Sequence, residues 1–241
     1  MALTVIDVET LPITPSNLAP RVICCSFAEG EDSWVLGNHP SDGLESTLRD
    51  LLQPPVRHIA GHNVAYDLMC IANTWPNLRP LIWRAYEERR VHDTLIREKL
   101  LHLSTHGNLD SLAGKQIRYS LAGIAEDRLG EDLSEDKQGS VRVRYGEMDG
   151  LRACDYPEEF LEYSRQDADI TMRIFQSQRN ATRSFLSTFK SEWLHVNMAW
   201  CLYHSTVRGL KVDKAYTLSL WDKTRAEIDL DNYPLLKSSG I

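Results

Sequence analysis

Two carboxylates stand inside the first apolar run of this chain, at Asp7 and Glu9 of Val5-Ile6-Asp7-Val8-Glu9-Thr10. A run of this composition favours a strand, and the strand period of two puts Asp7 and Glu9 on one face and Ile6 and Val8 on the other. One face can therefore bury against apolar elements, while the other must hold two like charges side by side. That is costly unless a cation neutralises them, and a divalent ion with oxygen ligands is the usual solution. The plain alternative is that Glu9 ends the strand in solvent.

The rest of the chain supplies partners for such a strand. Leu3–Val8, Arg21–Ala28 and Ser33–Leu36 read as three strands, and the polar turn Glu29-Gly30-Glu31-Asp32 makes the last two an antiparallel hairpin. Leu44, Leu48, Leu51 and Leu52 have helical spacing behind Ser41 or Asp42 as a cap. Val56–Ala60 reads as a fourth strand, followed by a helix from Asn63 to about Asn73 or Thr74. A segment around Arg90–His92 reads as a fifth strand before a helix over Asp93–Leu103.

Helical patterns then fall around Leu109–Ala113 and Leu121–Leu129, before a charged surface stretch, Gly130–Arg144. Pro157 suits the first turn of a long helix reaching about Gln178, and a further helix runs from about Phe185 to Arg208, stopped by Gly209. The order β-β-β-α-β-α-β-α is that of the ribonuclease H-like fold. It predicts an α/β protein with a mixed five-stranded sheet, its first three strands antiparallel, flanked by helices and followed by a C-terminal helical extension.

Net charge narrows the function. With 34 acidic against 27 basic residues the chain carries −7, the wrong sign for a module that holds nucleic acid by charge alone. An enzyme that meets phosphate through bound cations needs carboxylates, so it is not excluded. The five cysteines (Cys24, Cys25, Cys70, Cys154 and Cys201) form no C-x-x-C pair or zinc-spaced cluster and read as buried small hydrophobes of a reducing compartment. Cys24 and Cys25, as strand neighbours, should face opposite ways. No basic leader and no apolar run of about 20 residues is present, so the expectation is a cytoplasmic protein without a membrane segment.

Two further motifs carry chemistry. Gly61-His62-Asn63-Val64-Ala65-Tyr66-Asp67 falls at the carboxyl end of the fourth strand, where ligands gather in open sheets with crossover helices. Asn63 suits a helix cap and Asp67 lies one turn on; an ordinary cap with a dipole-stabilised Asp is the plain reading. In Tyr163-Ser164-Arg165-Gln166-Asp167 the spacing of four places phenol and carboxylate together on the helix face that also carries Phe160, Ile170 and Ile174. A structural Tyr–Asp hydrogen bond is the plain reading there.

Together, Asp7-x-Glu9, Asn63-x-x-x-Asp67 and Tyr163-x-x-x-Asp167 resemble the DEDDy branch of the 3′→5′ exonucleases. Within it the chain is most similar to the proofreading domain of family A DNA polymerases, especially those of bacteriophages. Val91-His92-Asp93-Thr94, Arg144-Tyr145-Gly146-Glu147-Met148-Asp149-Gly150 and Asp167-Ala168-Asp169-Ile170-Thr171 support the resemblance, which covers Leu3 to about Asp213. Position 162 is Glu, so the histidine form of the third motif is absent.

The resemblance implies hydrolysis of phosphodiesters at DNA 3′ ends, single-stranded where they enter the site, with release of nucleoside 5′-monophosphates. It implies two divalent ions, Mg²⁺ or Mn²⁺: Asp7, Glu9 and Asp167 hold the first, and Asp7 bridges to a second reached by Asp67 directly or through water. Tyr163 orients the attacking water. Thr10 becomes a substrate contact, and Asn63 either a substrate contact or only a cap. Asp93 is expected to cap a helix and Asp169 to lie beside the ligands, while His62 reads as a structural histidine. Arg84, Arg89, Arg90, Arg142 and Arg144 read as solvated surface, with tracking of the substrate backbone as the alternative.

The same resemblance divides the chain into an exonuclease domain, 1–182, and an extension, 183–241, like the start of a family A polymerase domain, with Arg208-Gly209-Leu210-Lys211-Val212-Asp213 as its specific part. No polymerase motif follows, so the expected role is proofreading as part of, or beside, a DNA polymerase. A ribonuclease D-like RNA exonuclease and a silent docking module are the alternatives.

Overall fold

The computed structural model describes residues 2–54, 57–109, 111–112, 115–133, 140–182, 188–209 and 211–227. β1 (Ala2–Thr10) pairs antiparallel with β2 (Val22–Glu29), which pairs antiparallel with β3 (Asp32–Gly37). On its other side β1 runs parallel to β4 (Arg57–Gly61), and β4 to β5 (Val91–Asp93). The order β3-β2-β1-β4-β5 puts the acid-bearing strand in the centre. The hairpin turns at Gly30, whose φ of 64° lies in the left-handed region that glycine adopts without a Cβ penalty.

Alternation along β1 builds two cores. Ile6 and Val8 join Cys25 and Phe27 on the face covered by α1 (Leu44–Leu52), α2 (Val64–Thr74) and α3 (Arg79–Glu87). Val5 points the other way. After α4 (Thr94–His106), α5 (Leu121–Leu129) and the short α6 (Ser140–Arg144), the 25-residue α7 (Glu158–Thr182) crosses that second face. It lays Ala168, Met172 and Phe175 against Val5, Ala28 and Ala60, and Phe160 and Tyr163 against Ile23 and Cys24. Cys24 and Cys25 thus enter opposite cores, as the strand period requires. α5 packs Leu121, Ile124 and Ala125 onto Ile170 and Ile174 of α7. α8 (Glu192–Arg208) returns to the first core and seats Val196 and Trp200 there.

Several local expectations are corrected. α1 is not capped by Ser41 or Asp42: Pro40–Asp42 forms a 3₁₀ turn, and Gly43 takes the cap position without a side-chain bond. The Asp42 carboxylate is drawn away by longer-range donors, accepting from the N–H of Gly37 at 2.9 Å and of Ala153 at 2.7 Å. The helical spacing around Leu109–Ala113 gives way to a small hairpin, β6 (Ser111–Leu112) against β7 (Lys115–Gln116).

α3 was not anticipated, although Pro80 in its first turn and buried Ile82, Ala85 and Tyr86 carry the signal. α8 begins at Glu192 rather than Phe185, after a 3₁₀ turn over Thr188–Ser191; residues 183–187 and, in the charged stretch, 134–139 lie outside the described residues.

The chain divides into two units, Met1–Val207 and Arg208–Ile241. In the second, α9 (Lys214–Glu227) starts behind Asp213, whose carboxylate accepts from Tyr216 N–H. No helix of the described residues is long and apolar enough to cross a membrane.

Candidate active site

β4 pairs with β1 only as far as Val5, so Asp7 and Glu9 lie beyond the end of the parallel ladder, on the side toward α7. There the Val8 N–H donates to Asp67 Oδ1, 3.2 Å away in the first turn of α2. A strand amide with no neighbour on that side is thus satisfied by a carboxylate, which carries Asp67 into the site. From above the second face, α7 brings Asp167: one carboxylate oxygen from each of Asp7, Glu9 and Asp167 lies within 4.8 Å of the others. The side chains that the sequence places 160 positions apart, Asp7 and Asp167, meet because α7 lies across β1.

Burial makes this cluster electrostatically expensive. Glu9 is 9% exposed and Asp67 3%. Burial, then the charges of Asp7, Asp167 and Asp67, pushes the Glu9 carboxyl well above the usual carboxylate range, with Arg142 opposing. Asp67 rises for the same first reason and through Asp7, against the Val8 amide bond that favours its ionised form. Tyr163, 8% exposed, is held protonated far into the alkaline range by burial and by the Asp167 and Glu9 charges. The arrangement therefore calls for added positive charge, and an all-oxygen donor set suits hard cations such as Mg²⁺ or Mn²⁺.

The turn between β4 and α2 shows why Gly61, His62 and Asn63 stand together. A Cβ on Gly61 would sit 2.9 Å from Val64 Cγ2 and 3.1 Å from the Ile6 carbonyl oxygen, so no other residue lets β1 and the start of α2 approach this closely. Asn63 is at the α2 cap position but in the left-handed region, φ 62°, and its side chain makes no cap bond. Its capping role passes to Asp93. That carboxylate accepts from the N–H groups of Asn63 and Val64 at α2 and of Leu95 and Ile96 at α4, joining both helix starts. Burial still raises its carboxyl to about 6. His62 hydrogen-bonds Thr94 Oγ1 at 2.9 Å.

These elements enclose a cleft of about 460 Å³ lined by Asp7, Glu9, Asp67, Tyr163 and Asp167, by Asn63 and His62, and by several residues the sequence did not single out. Tyr66, Leu95, Tyr119, Ser120 and Leu121 are of this second kind, and Arg142 lines the cleft with them. Tyr66 lies inside the second motif and carried a signal; Tyr119 to Leu121 carried none, since only the packing of α5 on α7 brings them near. Thr10 is not in the lining: its hydroxyl is engaged by the Leu11 carbonyl and the Tyr66 phenol, both at 2.8 Å.

Asp169 points instead toward Arg173, 3.7 Å away. Of the arginines read as surface, Arg90 is buried and bonds the Leu52 and Arg57 carbonyls, Arg89 lies over the Trp193 ring, and Arg84 pairs with Glu88. Arg142 alone of that group lines the cleft.

Residues 4–182 match the 3′-5′ exonuclease family that takes its name from DNA polymerase A. The chain belongs to this 3′-5′ exonuclease family. It is accordingly a hydrolytic nuclease of a family that uses two divalent cations, and the gathered oxygens of Asp7, Glu9 and Asp167 suit one of them. Among solved structures the exonuclease resembles NrnC of Brucella melitensis, at 17% identity over 86% of this chain and 85% of that one, with a TM-score of 0.60. Escherichia coli RNase D matches at 16% identity, TM-score 0.55, over 83% of this chain but 44% of its own. The Nibbler exonuclease domain of Aedes aegypti matches at 13% identity, TM-score 0.53, over 76% and 80%. These likenesses show a shared ribonuclease H-like fold. No curated protein sequence matches the chain.

Proposed function

We propose that this exonuclease removes nucleoside 5′-monophosphates one at a time from DNA 3′ ends, in proofreading beside or within a family A DNA polymerase. The observation that carries the reading is the gathering of Asp7, Glu9, Asp67 and Asp167 with Tyr163 around one open cleft. In it Asp7, Glu9 and Asp167 would hold one divalent cation, and Asp7 with Asp67 a second. Two cations so placed supply a more acidic water and positive charge for an in-line displacement at phosphorus.

The side chains do the rest. Tyr163, kept protonated by burial, hydrogen-bonds the attacking water and sets its direction; it is no base at neutral pH. The water oxygen bonds to phosphorus as the bond to the 3′ oxygen of the preceding nucleotide breaks, and that oxygen leaves with a proton. Asn63, at the α2 end of the cleft, contacts the terminal nucleotide. Thr10 acts through Tyr66, whose phenol it holds at the cleft wall.

The family name and the polymerase-like Arg208–Asp213 segment support DNA as substrate. A second reading, RNA or short oligonucleotides, draws on similarity to RNase D, described as an exoribonuclease of structured RNA, and to NrnC solved with pGG.

The test is degradation of 5′-labelled DNA and RNA strands of one sequence with Mg²⁺ or Mn²⁺, beside EDTA and Asp7→Ala controls. A ladder shortening from the 3′ end, faster on DNA and absent in both controls, is expected. Faster loss of RNA would transfer the proposal to the second reading. Intact strands of both kinds would end it.

A further inference from the structure

Arg142 stands out when the charges around the cleft are counted. Among the described lining residues it is the one arginine or lysine, facing four carboxylates. Two positions on, Arg144 is engaged by Glu147 and Glu159 and lies over the Phe160 ring. Arg142, exposed on the same short helix, has no carboxylate within ion-pair distance among the described residues. It lines the cleft together with Glu9 and Tyr163, and its charge acts on both.

Charge balance says what such a cation is for. Four carboxylates offset two divalent cations, leaving no net positive charge for the substrate. The scissile phosphodiester brings one negative charge, and attack by a deprotonated water adds another in the transition state. A guanidinium offers a planar, always charged fork suited to two phosphate oxygens, and donors aimed at developing charge act mainly on the transition state.

We propose that Arg142 is a catalytic residue whose guanidinium binds a non-bridging oxygen of the scissile phosphate. The inference rests on the exonuclease site proposed above and adds a protein cation to it. The plainer alternative, that Arg142 only neutralises Glu9 in the metal-free protein, makes a different prediction: removing it would leave turnover intact.

The experiment uses the full chain, 5′-labelled DNA and Mn²⁺, comparing wild type, Arg142→Gln, Arg142→Lys, Arg142→Ala and Arg144→Gln, with Mn²⁺ affinity measured separately by calorimetry. Cleavage by wild type establishes the underlying site and must be seen first; without it, both the site and this inference fail together. Given that cleavage, Arg142→Gln is expected to lower kcat about 100-fold with KM changed less than about threefold. Arg142→Lys should lose about tenfold, because the charge remains and the fork does not. Free guanidinium ion should partly restore Arg142→Ala.

Mn²⁺ affinity should be unchanged or tighter in Arg142→Gln, since a positive charge leaves the neighbourhood of the carboxylates. Arg144→Gln should cleave at the wild-type rate. The inference is overturned if Arg142→Gln turns over normally. It is equally overturned if its slower turnover comes with weakened Mn²⁺ binding and no guanidinium rescue, the pattern of a distorted site.

Discussion

Asp67 concentrates the conflict between stability and function in one side chain. It is nearly fully buried and faces Asp7, yet it also accepts the Val8 amide that β4 leaves without a partner. Asp67→Asn keeps an oxygen for Val8 and removes the buried charge. The expected outcome is a metal-free protein more stable by on the order of 1 kcal/mol in urea at neutral pH. DNA cleavage should fall at least about 1,000-fold, as when any member of a concerted site is removed. Tyr163→Phe tests a different contribution: with water no longer oriented, kcat should drop about 100-fold and KM stay nearly constant in steady-state kinetics. At this scale the sequence was readable where chemistry shows as an unusual residue in a regular pattern, as for Asp7 and Glu9. It could not tell Arg142 from its neighbours, since one arginine in V-R-V-R-Y resembles the next until a fold pairs Arg144 and leaves Arg142 over the cleft.

Between β5 and the two helix starts, Asp93 works as a joint. Four amide N–H groups from α2 and α4 end on its carboxylate, and Gln178 of α7 reaches the neighbouring Thr94 carbonyl at 2.7 Å. Asp93→Ala should therefore cost about 3 kcal/mol in urea unfolding, more than one helix cap is worth, and Asp93→Asn noticeably less. α8 is secured differently. Trp200 is fully buried, stacked on Tyr86 at 5.0 Å and edge-on to Trp83 at 5.4 Å, so Trp200→Ala should cost about 3–5 kcal/mol. Strands and most helices were legible because their periods are local. The start of α1 was not, because Asp42 is worth more to Gly37 and Ala153 across the fold than to its own helix.

For the whole molecule, the raised carboxyls of Glu9 and Asp67 link folding, protons and metal. Both are pushed above their unfolded values, so just above the usual carboxylate range near pH 4 the native state holds more protons than the unfolded one. Stability of the metal-free protein must then fall as pH rises through that window. Its Tm should decline as pH rises above about 4.5, and Mg²⁺ or Mn²⁺ should raise Tm more at neutral pH than at about pH 5, with EDTA reversing the gain; a metal-induced shift larger at the acid pH would contradict this. The sequence by itself determined the order of the five sheet strands and most of the helices, the acid pair on β1 and the two i, i+4 motifs, since each follows from spacing along a few residues. Only the tertiary structure decided that α7 crosses β1 and brings Asp167 to Asp7, that Thr10 turns to Tyr66, and that α5 and Arg142 wall the cleft. These are contacts between segments far apart in the chain, selected by how whole faces bury against one another, and no local period encodes them.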